Sequence, residues 1–384
     1  MIFSLYLKKI NQVVMSRISP ILPLFSGILL LSAIVSCAPT AKSVAIQGKI
    51  TQNTHWTSEN TYIIDGSVVV TNGATLTIDP GTLIKAMPGE MPKVSMLVIA
   101  QDGKINAKGT ANQPIVFTSL DDNITTVNEI SMLQASAQGL WGGIVILGDA
   151  PLAPESGEES TFYIGLDPSE TSSYYGGNNS THNGGVLEYV SIRHGGAHIG
   201  TGNDSNGLTL CAVGSETTIN NIEIFANQDD GVEFFGGTVN ASNILVYHQG
   251  DDGVDIDEGY AGTIENVKIV LGPSSDSGIE INAGSSSTRF RMANFSLIGD
   301  SETESQAILR IGEGASGAID GLSVSNFSSA AKIHVDSQAV TFTNVSSTEG
   351  SLNDRVSGTA KEAVTLKEGA QKADLPNFSW TRSN

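Results

Sequence analysis

The sequence predicts an all-β solenoid, in which short parallel strands stack coil upon coil. A glycine-led strand motif recurs at spacings of 24, 22 and 25 residues, and an asparagine-led motif interleaves with it at spacings of 22, 23 and 28. Each motif alternates apolar and polar side chains, which is typical of a strand with one buried face. No stretch after Cys37 shows an amphipathic helical pattern of ten or more residues. Together these observations indicate a repeat fold built from strands.

The first 36 residues have the composition of a targeting segment. A basic stretch is followed by an almost wholly apolar one, which is the order of the n-region and h-region of a secretory signal peptide. The basic residues are Lys8, Lys9 and Arg17, and the apolar stretch covers residues 18–35. The segment ends in Ile34-Val35-Ser36-Cys37, which resembles the lipobox of bacterial lipoproteins. The alternative is an N-terminal membrane anchor with an incidental cysteine.

The resemblance to a lipobox implies that residues 1–36 are a signal peptide and that Cys37 becomes the lipidated first residue. Several acyl chains, palmitate among them, hold a protein stably on a membrane, where a single chain does not. Ala38 favours the outer membrane of a bacterial cell envelope. We expect a lipid-anchored monomer whose residues 37–55 form a tether. Cys211 is then unpaired, and we expect it to be buried and inert.

Residues 56–350 form the predicted solenoid. The glycine-led motifs are Gly207–Leu210, Gly231–Phe234, Gly253–Ile256 and Gly278–Ile281. The asparagine-led motifs are Asn221–Ile224, Asn243–Val246, Asn266–Ile269 and Asn294–Leu297. Coils of parallel strands stack about 4.8 Å apart, and each coil is stable only with its neighbours, because they share one apolar core. The asparagine column predicts either a ladder of side-chain amides along the axis or simple turn formers.

Five segments of the chain resemble, in order, the motifs of a known family. They are GATLTIDPGTLIK at 73–85, GTANQPIVFTSL at 109–120, LWGGIVILGDA at 140–150, VLEYVSIRHGG at 186–196 and NQDDGVEFFGGTV at 227–239. The family is that of bacterial right-handed parallel β-helix surface lipoproteins, and the resemblance covers residues 56 to 350. It implies a right-handed parallel β-helix, but no particular activity, because the family has no settled one.

Two segments do not fit the repeat. The segment Ala150–Gly185 is too long and polar for a coil, so we expect a loop that projects from one face, and long loops on solenoids often bind ligands. The tail, residues 351–384, contains Leu375, Phe378 and Trp380. Because a solenoid needs its open end covered, we expect these side chains to form a cap.

The balance of charge excludes one class of partner. The chain has 40 acidic and 20 basic residues among its 384, and its net charge is −20. A surface this acidic repels phosphate backbones, so we expect no nucleic acid partner. Such a surface attracts cations instead.

Many of the carboxylates lie on the glycine-led strands and in the turns before them. The first and third residues after each glycine are apolar and point inward, so the second and fourth point outward. This predicts an exposed column of Glu233, Asp255 and Glu280 on successive coils. The other carboxylates of this face are Asp229, Asp230, Asp251, Asp252, Asp257, Glu258 and Asp276. Like charges on adjacent strands repel one another by about 3 kcal/mol at an effective dielectric constant of about 20, so protons or a cation must be present.

Oxygen-only ligands at flexible spacing favour Ca²⁺, with Mg²⁺ second. The predicted metal ligands are Asp229, Asp230, Glu233, Asp251, Asp252, Asp255, Asp257 and Glu280. The alternatives are a solvated acidic face without a defined ion site and a catalytic carboxylate pair. Asp229-Asp230-Gly231 resembles the Asp-Asp motif of polygalacturonase-type β-helix hydrolases. The Gly-His-Gly and Arg-x-Lys motifs of those enzymes are not matched in this sequence.

The sequence thus predicts a binding protein at the cell surface, with a glycan or another surface polymer as its partner. Outward aromatic residues would bind that polymer, and the candidates are Tyr174, Tyr175, Phe235 and Tyr260. The alternatives are a polysaccharide-active enzyme, either a lyase or a glycoside hydrolase, that uses the same acidic face, and a structural or adhesive stalk. A basic residue beside the aspartate pairs would favour the enzyme.

Overall fold

The computed structural model describes residues 42–154, 156–201, 203–369 and 379–381. Its regular structure consists of 28 strands and two single 3₁₀ turns, at Thr171–Ser173 and Asn353–Arg355. Within the described ranges, no helix is long and apolar enough to span a membrane. The predicted signal peptide 1–36 and the predicted lipidation site Cys37 lie outside the described residues.

The strands follow one another along the whole described chain. The first nine are β1 (Lys42–Ile50), β2 (Thr54–Trp56), β3 (Asn60–Val70), β4 (Thr75–Ile78), β5 (Leu83–Ala86), β6 (Met96–Ile99), β7 (Lys104–Lys108), β8 (Ile115–Ser119) and β9 (Ile144–Leu147). The next ten are β10 (Thr161–Phe162), β11 (Tyr174–Tyr175), β12 (Gly185–Arg193), β13 (His198–Gly200), β14 (Asn203–Asp204), β15 (Leu208–Cys211), β16 (Thr218–Phe225), β17 (Val232–Phe235), β18 (Asn240–Tyr247) and β19 (Asp252–Asp257). The last nine are β20 (Thr263–Val270), β21 (Ser277–Ile281), β22 (Phe290–Ile298), β23 (Leu309–Ile311), β24 (Ser316–Ser325), β25 (Ile333–Val335), β26 (Ala339–Ser347), β27 (Val356–Ser357) and β28 (Leu366–Glu368).

Of the 28 strands, 24 pair in three parallel ladders, and each complete coil contributes to all three, while β10–β11 and β13–β14 form separate pairs. The first ladder contains β2, β4, β7 and the first halves of β12, β16, β18, β20, β22, β24 and β26. The second contains the first half of β3, then β5, β8 and the second halves of those long strands. The third contains the second half of β3, then β6, β9, β15, β17, β19, β21, β23, β25 and β27. This is a parallel β-helix, as the sequence predicted.

The asparagine column forms the corner between the first and second ladders. Asn221, Asn243, Asn266 and Asn294 all have φ between 54° and 60°, the left-handed region that asparagine tolerates better than most residues. Nδ2 of Asn266 donates to Oδ1 of Asn243 at 3.3 Å, and Nδ2 of Asn294 donates to Oδ1 of Asn266 at 2.8 Å. All four residues therefore turn the chain, and the amide ladder is confirmed for Asn243, Asn266 and Asn294.

One apolar core fills the interior of the coils. The inward side chains Ile256 and Ile281 are fully buried, so the strand phase read from the glycine-led motifs is correct. The core also takes in large side chains such as Trp56, Trp141 and Phe234. Cys211 is buried and unpaired, and burial raises the pKa of its thiol, which suppresses the reactive thiolate.

The described solenoid is longer than residues 56–350. The strand β1 lies within the predicted tether, yet it pairs in parallel with β3. Most of its side chains are exposed, and Val44, Ile46 and Ile50 are only partly buried against the core, so its apolar alternation is short and weak. At the other end, β27 and β28 pair with β25 and β26 inside the predicted tail.

For the segment Ala150–Gly185 the sequence predicted a projecting loop. The structure instead shows that the segment folds back along the third ladder. Its β10 and β11 form a short antiparallel pair. The amide of Ala153 donates to the carbonyl of Glu258 at 2.7 Å, and the amide of Gly237 donates to the carbonyl of Pro151 at 2.7 Å. Gly236 has a φ of 63°, and a Cβ there would lie 2.7 Å from Leu152 Cβ, so glycine permits this close approach.

The tail does not place Trp380 over the open end of the solenoid. Its indole packs against Tyr189, with ring centroids 6.4 Å apart, and its Nε1 donates to the carbonyl of Ala111 at 3.0 Å. Both partners belong to early coils, on the side of the solenoid. The cap prediction is therefore wrong for Trp380, while Leu375 and Phe378 lie outside the described residues.

Candidate acidic groove

A column of polar side chains points outward from the third ladder. The strand register places Glu233 opposite Asp255, and Asp255 opposite Glu280. Thr209 precedes Glu233 in this column, and Arg310 follows Glu280. The structure therefore aligns the three carboxylates as the two-residue periodicity predicts, about 4.8 Å apart along the axis.

This column is more buried than the sequence predicts. Asp255 is 9% exposed and Glu280 is half-buried, although the prediction was that both are exposed. Asp230, Glu233 and Asp252 are buried as well. The reason is tertiary: these side chains leave the core, but the carboxylates of successive coils lie close together, and the loop segment borders the same ladder at Gly237 and Glu258.

The carboxylates form three groups in which oxygen atoms lie within 4.8 Å of one another. These groups are Asp229 with Asp230 and Asp251, Asp230 with Glu233 and Asp255, and Asp251 with Asp252 and Asp276. Six of the eight predicted ligands belong to one of them. The other two are Asp257 and Glu280, and they lie on the same ladder.

Burial raises the pKa of these carboxyls, and the charge of neighbouring carboxylates raises it further. The pKa of Asp229 rises to about 7 and that of Asp252 to about 8. The pKa values of Asp230, Glu233 and Asp255 are also raised, mainly by burial and then by adjacent carboxylates. Desolvation and like-charge repulsion both oppose ionisation here, so the fully ionised cluster requires a positive charge.

Hydrogen-bond donors offset part of this cost. Asn206 Nδ2 donates to Glu233 Oε2. The amide of Asp252 donates to Asp230 Oδ1 at 2.9 Å, and the amide of Ile256 donates to Asp255 Oδ1 at 2.7 Å. In the described part of the chain, no lysine or arginine forms an ion pair with Asp230, Glu233 or Asp255. The centre of the cluster therefore has amide donors but no countercharge from the protein.

Arg310 supplies a positive charge at one end of the cluster. Its two terminal nitrogens donate to the two oxygens of Asp276 at 2.6 and 2.7 Å. Glu280 and Asp252 lie 3.8 and 3.9 Å from the same guanidinium. Hydrogen bonding to Asp276 raises the pKa of Arg310 above its ordinary value, so this guanidinium remains protonated.

A groove of about 850 Å³ lies between the cluster and the loop segment. One wall is acidic and includes Asp204, Glu233, Asp257, Glu258 and Glu313. The loop segment contributes aromatic and apolar side chains to the lining, Phe162, Tyr163, Ile164 and Tyr175, while Phe235 lies on β17 beside the acidic residues. Phe162 and Ile164 are 38% and 43% exposed. We call this cavity the acidic groove; it brings the loop segment together with three carboxylates of the predicted acidic face, Glu233, Asp257 and Glu258.

The four aromatic residues predicted to contact a ligand lie in different environments. Tyr175 and Phe235 line the acidic groove, with ring centroids 6.4 Å apart. Tyr174 is half-buried beside the groove, and its hydroxyl donates to the carbonyl of Pro168 at 3.1 Å. Tyr260 is not a surface residue: it is fully buried.

The burial of Tyr260 corrects the prediction that it binds ligand, and the backbone explains the error. Glu258 and Gly259 before it have φ of 54° and 80°, so the chain turns inward where the sequence suggests an exposed turn. The ring packs on Phe234 in the core. Its hydroxyl donates to the carbonyl of Val239 at 2.7 Å, which satisfies its polar group.

Several residues of the site were not singled out as functional from the sequence, among them Arg310, Tyr163 and Asn206. Arg310 could have been placed in the column, because Leu309-Arg310-Ile311 repeats the apolar–polar–apolar alternation of the preceding strands. Tyr163 and Asn206 reach the acidic groove from a loop and a turn, and no periodic signal marks them.

The fold and the groove define a parallel β-helix protein with an acidic, partly aromatic site on one ladder. The chain belongs to the pectate-lyase-like β-helix domain family, whose family model matches residues 48–378. No curated protein and no solved structure gives a significant match. The family fits a polysaccharide-related role.

Proposed function

We propose that the acidic groove is a Ca²⁺-dependent binding site for an acidic polysaccharide, on a protein anchored by lipid at Cys37 to the bacterial cell envelope. The observation behind the proposal is that Glu233 belongs both to a buried carboxylate group without a protein countercharge, with Asp230 and Asp255, and to the lining of a groove that also has aromatic side chains. Family membership supports the polysaccharide part of the proposal.

The carboxylates determine the choice of cation. Oxygen atoms from Asp230, Glu233 and Asp255 lie within 4.8 Å of one another, and oxygen ligands in flexible numbers suit Ca²⁺ better than Zn²⁺ or copper. A divalent ion at this position would offset the desolvation and repulsion that raise the three pKa values. Two further groups, centred on Asp229 and Asp252, offer similar oxygen sets.

The two walls of the groove determine the class of polymer. Without an ion, the acidic wall repels a polyanion, so binding of an acidic polysaccharide depends on Ca²⁺ that bridges protein and polymer carboxylates. Phe162 provides exposed aromatic surface, and the buried Tyr163 and Tyr175 line the cavity behind it; aromatic surface suits the faces of sugar rings. The groove is therefore selective for acidic glycans only when Ca²⁺ is bound.

A binding panel tests this proposal. Purified protein is titrated by isothermal calorimetry with neutral and uronate-containing oligosaccharides, with 2 mM Ca²⁺ (about physiological extracellular levels) or with chelator. We expect acidic oligosaccharides to bind only with Ca²⁺. Asp252→Asn with Asp255→Asn should abolish this binding. The matched control, Glu216→Gln with Glu265→Gln, removes two charges from exposed positions outside the groove and should bind as wild type does. Binding that is unaffected by chelator would refute the role of the ion.

A polysaccharide-active enzyme is the second candidate function, and the pKa of Asp252 favours it. A carboxyl with a pKa of about 8 is protonated at pH 7, which is what a general acid needs. A lyase that used Arg310 as its base is disfavoured, because Asp276 holds that guanidinium protonated. Reducing ends released from the same panel would indicate a hydrolase, and new absorbance from unsaturated ends would indicate a lyase. A panel with neither binding nor cleavage would leave the structural stalk.

A further inference from the structure

A second site lies on the second ladder, away from the acidic groove, where the tail docks. The outward side chains of Ser191 and Glu223 are neighbours in the register of β12 and β16. Arg193, on the same strand as Ser191, is fully buried, and so is Glu223. Buried charges are costly unless they are paired and hydrogen-bonded. The hydrogen-bond partners of Arg193 and Glu223 therefore indicate which group binds at this site.

The tail residues Ser379–Thr381 satisfy one oxygen of Glu223. Oε1 accepts from the Ser379 hydroxyl at 2.9 Å, the Trp380 amide at 3.0 Å and the Thr381 hydroxyl at 2.9 Å. The Thr381 amide lies 3.4 Å from the same oxygen. Within the described ranges, every hydrogen bond to Oε1 comes from the tail, whereas Oε2 accepts from Ser191 at 2.6 Å.

Arg193 completes the contact from the other side. Its Nε donates to the Ser191 hydroxyl at 2.9 Å, and one of its terminal nitrogens donates to the carbonyl of Trp380 at 3.3 Å. Glu223 therefore accepts from backbone N–H groups and side-chain hydroxyls of the tail, and Arg193 binds a backbone carbonyl. Recognition of main-chain donors and acceptors is typical of a site for an extended peptide.

Trp380 anchors the peptide across three adjacent coils. Its ring contacts Tyr189 edge-on, and its Nε1 donates to the carbonyl of Ala111. Those residues and Glu223 belong to the coils of β7–β8, β12 and β16, which are consecutive in the ladders. Each coil of a solenoid otherwise contacts only its neighbours, so this contact joins residues 269 positions apart in the chain.

The length of the chain permits docking within one molecule. The register runs from Glu368 through Val345 and four further strands to Ile222, beside Glu223. Six spacings of about 4.8 Å give a separation of about 29 Å. The ten residue steps from Gly369 to Ser379 span at most about 36 Å, so the tail reaches its site without a second copy of the chain.

We propose that Tyr189, Arg193 and Glu223, with the carbonyl of Ala111, form a peptide-binding site, which we call the tail clamp, and that the chain's own Ser379–Thr381 segment occupies it. The clamp straps the end of the chain to its early coils and so resists fraying of the last coils. This inference does not depend on the function proposed for the acidic groove.

Hydrogen exchange on the full chain tests the clamp. We expect the amides of Trp380 and Thr381 to be protected at least tenfold relative to an unstructured peptide, and Trp380→Ala to abolish that protection and to increase exchange in β28. Trp380→Phe keeps an aromatic ring against Tyr189 and should retain part of the protection. The control, Phe162→Ala, removes an exposed aromatic ring from the acidic groove and should leave tail exchange unchanged. Tail amides that exchange in wild type as in a free peptide would overturn the proposal.

A binding measurement tests whether the site accepts a peptide. A fluorescent peptide with the sequence of residues 377–384 should bind the full-length Trp380→Ala protein, whose own tail is released, at least tenfold more tightly than wild type, whose clamp is occupied. Equal binding to both proteins, or no binding to either at millimolar peptide, would refute a peptide site. A wild-type dimer that Trp380→Ala converts to a monomer would show that tails dock between copies, contrary to the assignment within one chain.

Discussion

The carboxylates of the cluster beside the acidic groove are held at an electrostatic cost that their positions explain. Asp230, Asp252 and Asp255 are buried on adjacent coils, where desolvation is the largest influence on each pKa and neighbouring charge adds to it. Most ionised side chains avoid such positions unless a partner is present. Here amide donors and Arg310 supply only part of the compensation, which leaves proton uptake or cation binding to supply the rest.

The raised pKa values predict an unusual dependence of stability on pH. Without divalent ions, Asp252 and Asp229 retain protons in the folded protein up to about pH 8 and 7, whereas the unfolded chain releases them near pH 4. The folded state therefore binds more protons in this range, so stability decreases as pH rises through the folded pKa values. Between pH 6.5 and 8.5 we expect a loss of about 2 kcal/mol in chelator.

Urea unfolding in chelator at a series of pH values measures this effect. The range starts at pH 6.5 because His182 and His194, whose pKa values burial lowers, act in the opposite direction at lower pH. Asp252→Asn should flatten the profile, and Glu265→Gln should not. A wild-type protein whose stability is constant or increases from pH 6.5 to 8.5 would show that the carboxyls ionise freely in the folded state.

Calcium should stabilise the folded protein through the same residues. The unfolded chain cannot gather these oxygens, so an ion at 100 times its dissociation constant stabilises the fold by about 2.7 kcal/mol. We expect millimolar Ca²⁺ to raise the melting temperature by a few degrees and chelator to reverse the change. Asp252→Asn with Asp255→Asn should remove most of the response and raise stability in chelator, because repulsion is reduced. Overlapping wild-type melting curves with Ca²⁺ and with chelator would favour the solvated acidic face.

At the scale of the element, the corners of the coils determine how the strands stack. Each asparagine of the corner column is held in the left-handed region, and Asn243, Asn266 and Asn294 are linked by hydrogen bonds from coil to coil. The same element thus meets two demands: it turns the backbone and it satisfies side-chain polar groups at an enclosed position. The loop segment is the other decisive element, since its return along the third ladder creates the second wall of the acidic groove.

Substitutions of Asn266 separate the two roles of the corner. Asn266→Gly keeps the left-handed backbone but removes the amide, so we expect it to lose only the ladder bonds, about 1 kcal/mol. Asn266→Ala also places a Cβ in the left-handed region, which adds about 1 kcal/mol or more. Chemical denaturation of the two variants beside wild type provides the comparison. Equal losses would mean that the amide ladder alone determines the effect of this residue.

At the scale of the whole molecule, each coil contacts mainly the coils before and after it. Two features connect parts of the molecule that are not neighbouring coils. The tail clamp joins the end of the chain to the early coils. The predicted lipid at Cys37 would add a connection to a membrane at the other end. Because the described strands begin at Lys42, few residues separate that cysteine from the first coil.

The predicted lipid anchor is tested by Cys37→Ser, which replaces one sulfur atom with oxygen. We expect wild-type protein to fractionate with membranes and to have the mass of an acylated Cys37. Cys37→Ser cannot be acylated and should be released into the soluble fraction. Cys211→Ser is the matched control, because Cys211 is buried in the core, and it should remain with membranes. Membrane fractionation of Cys37→Ser, together with a wild-type mass that lacks acyl chains, would contradict the lipobox interpretation.

The sequence by itself determined the repeating part of this protein. The alternation of Gly253–Ile256 and its equivalents predicted the strands, their inward face and the alignment of Glu233 with Asp255, because a period of two and a fixed coil length leave one register. The asparagine corners followed from the same regularity. Such features are local, and they recur, so a single sequence contains several independent observations of each.

Only the tertiary structure decided the parts that occur once. The return of the loop segment, the burial of Asp255, the inward turn at Tyr260 and the docking of Trp380 depend on contacts between distant residues. No periodic pattern predicts them, since each depends on where a non-repeating segment meets the solenoid. The physical reason is that burial is a property of the surroundings: an outward carboxylate is exposed on a bare coil and desolvated once another segment covers it.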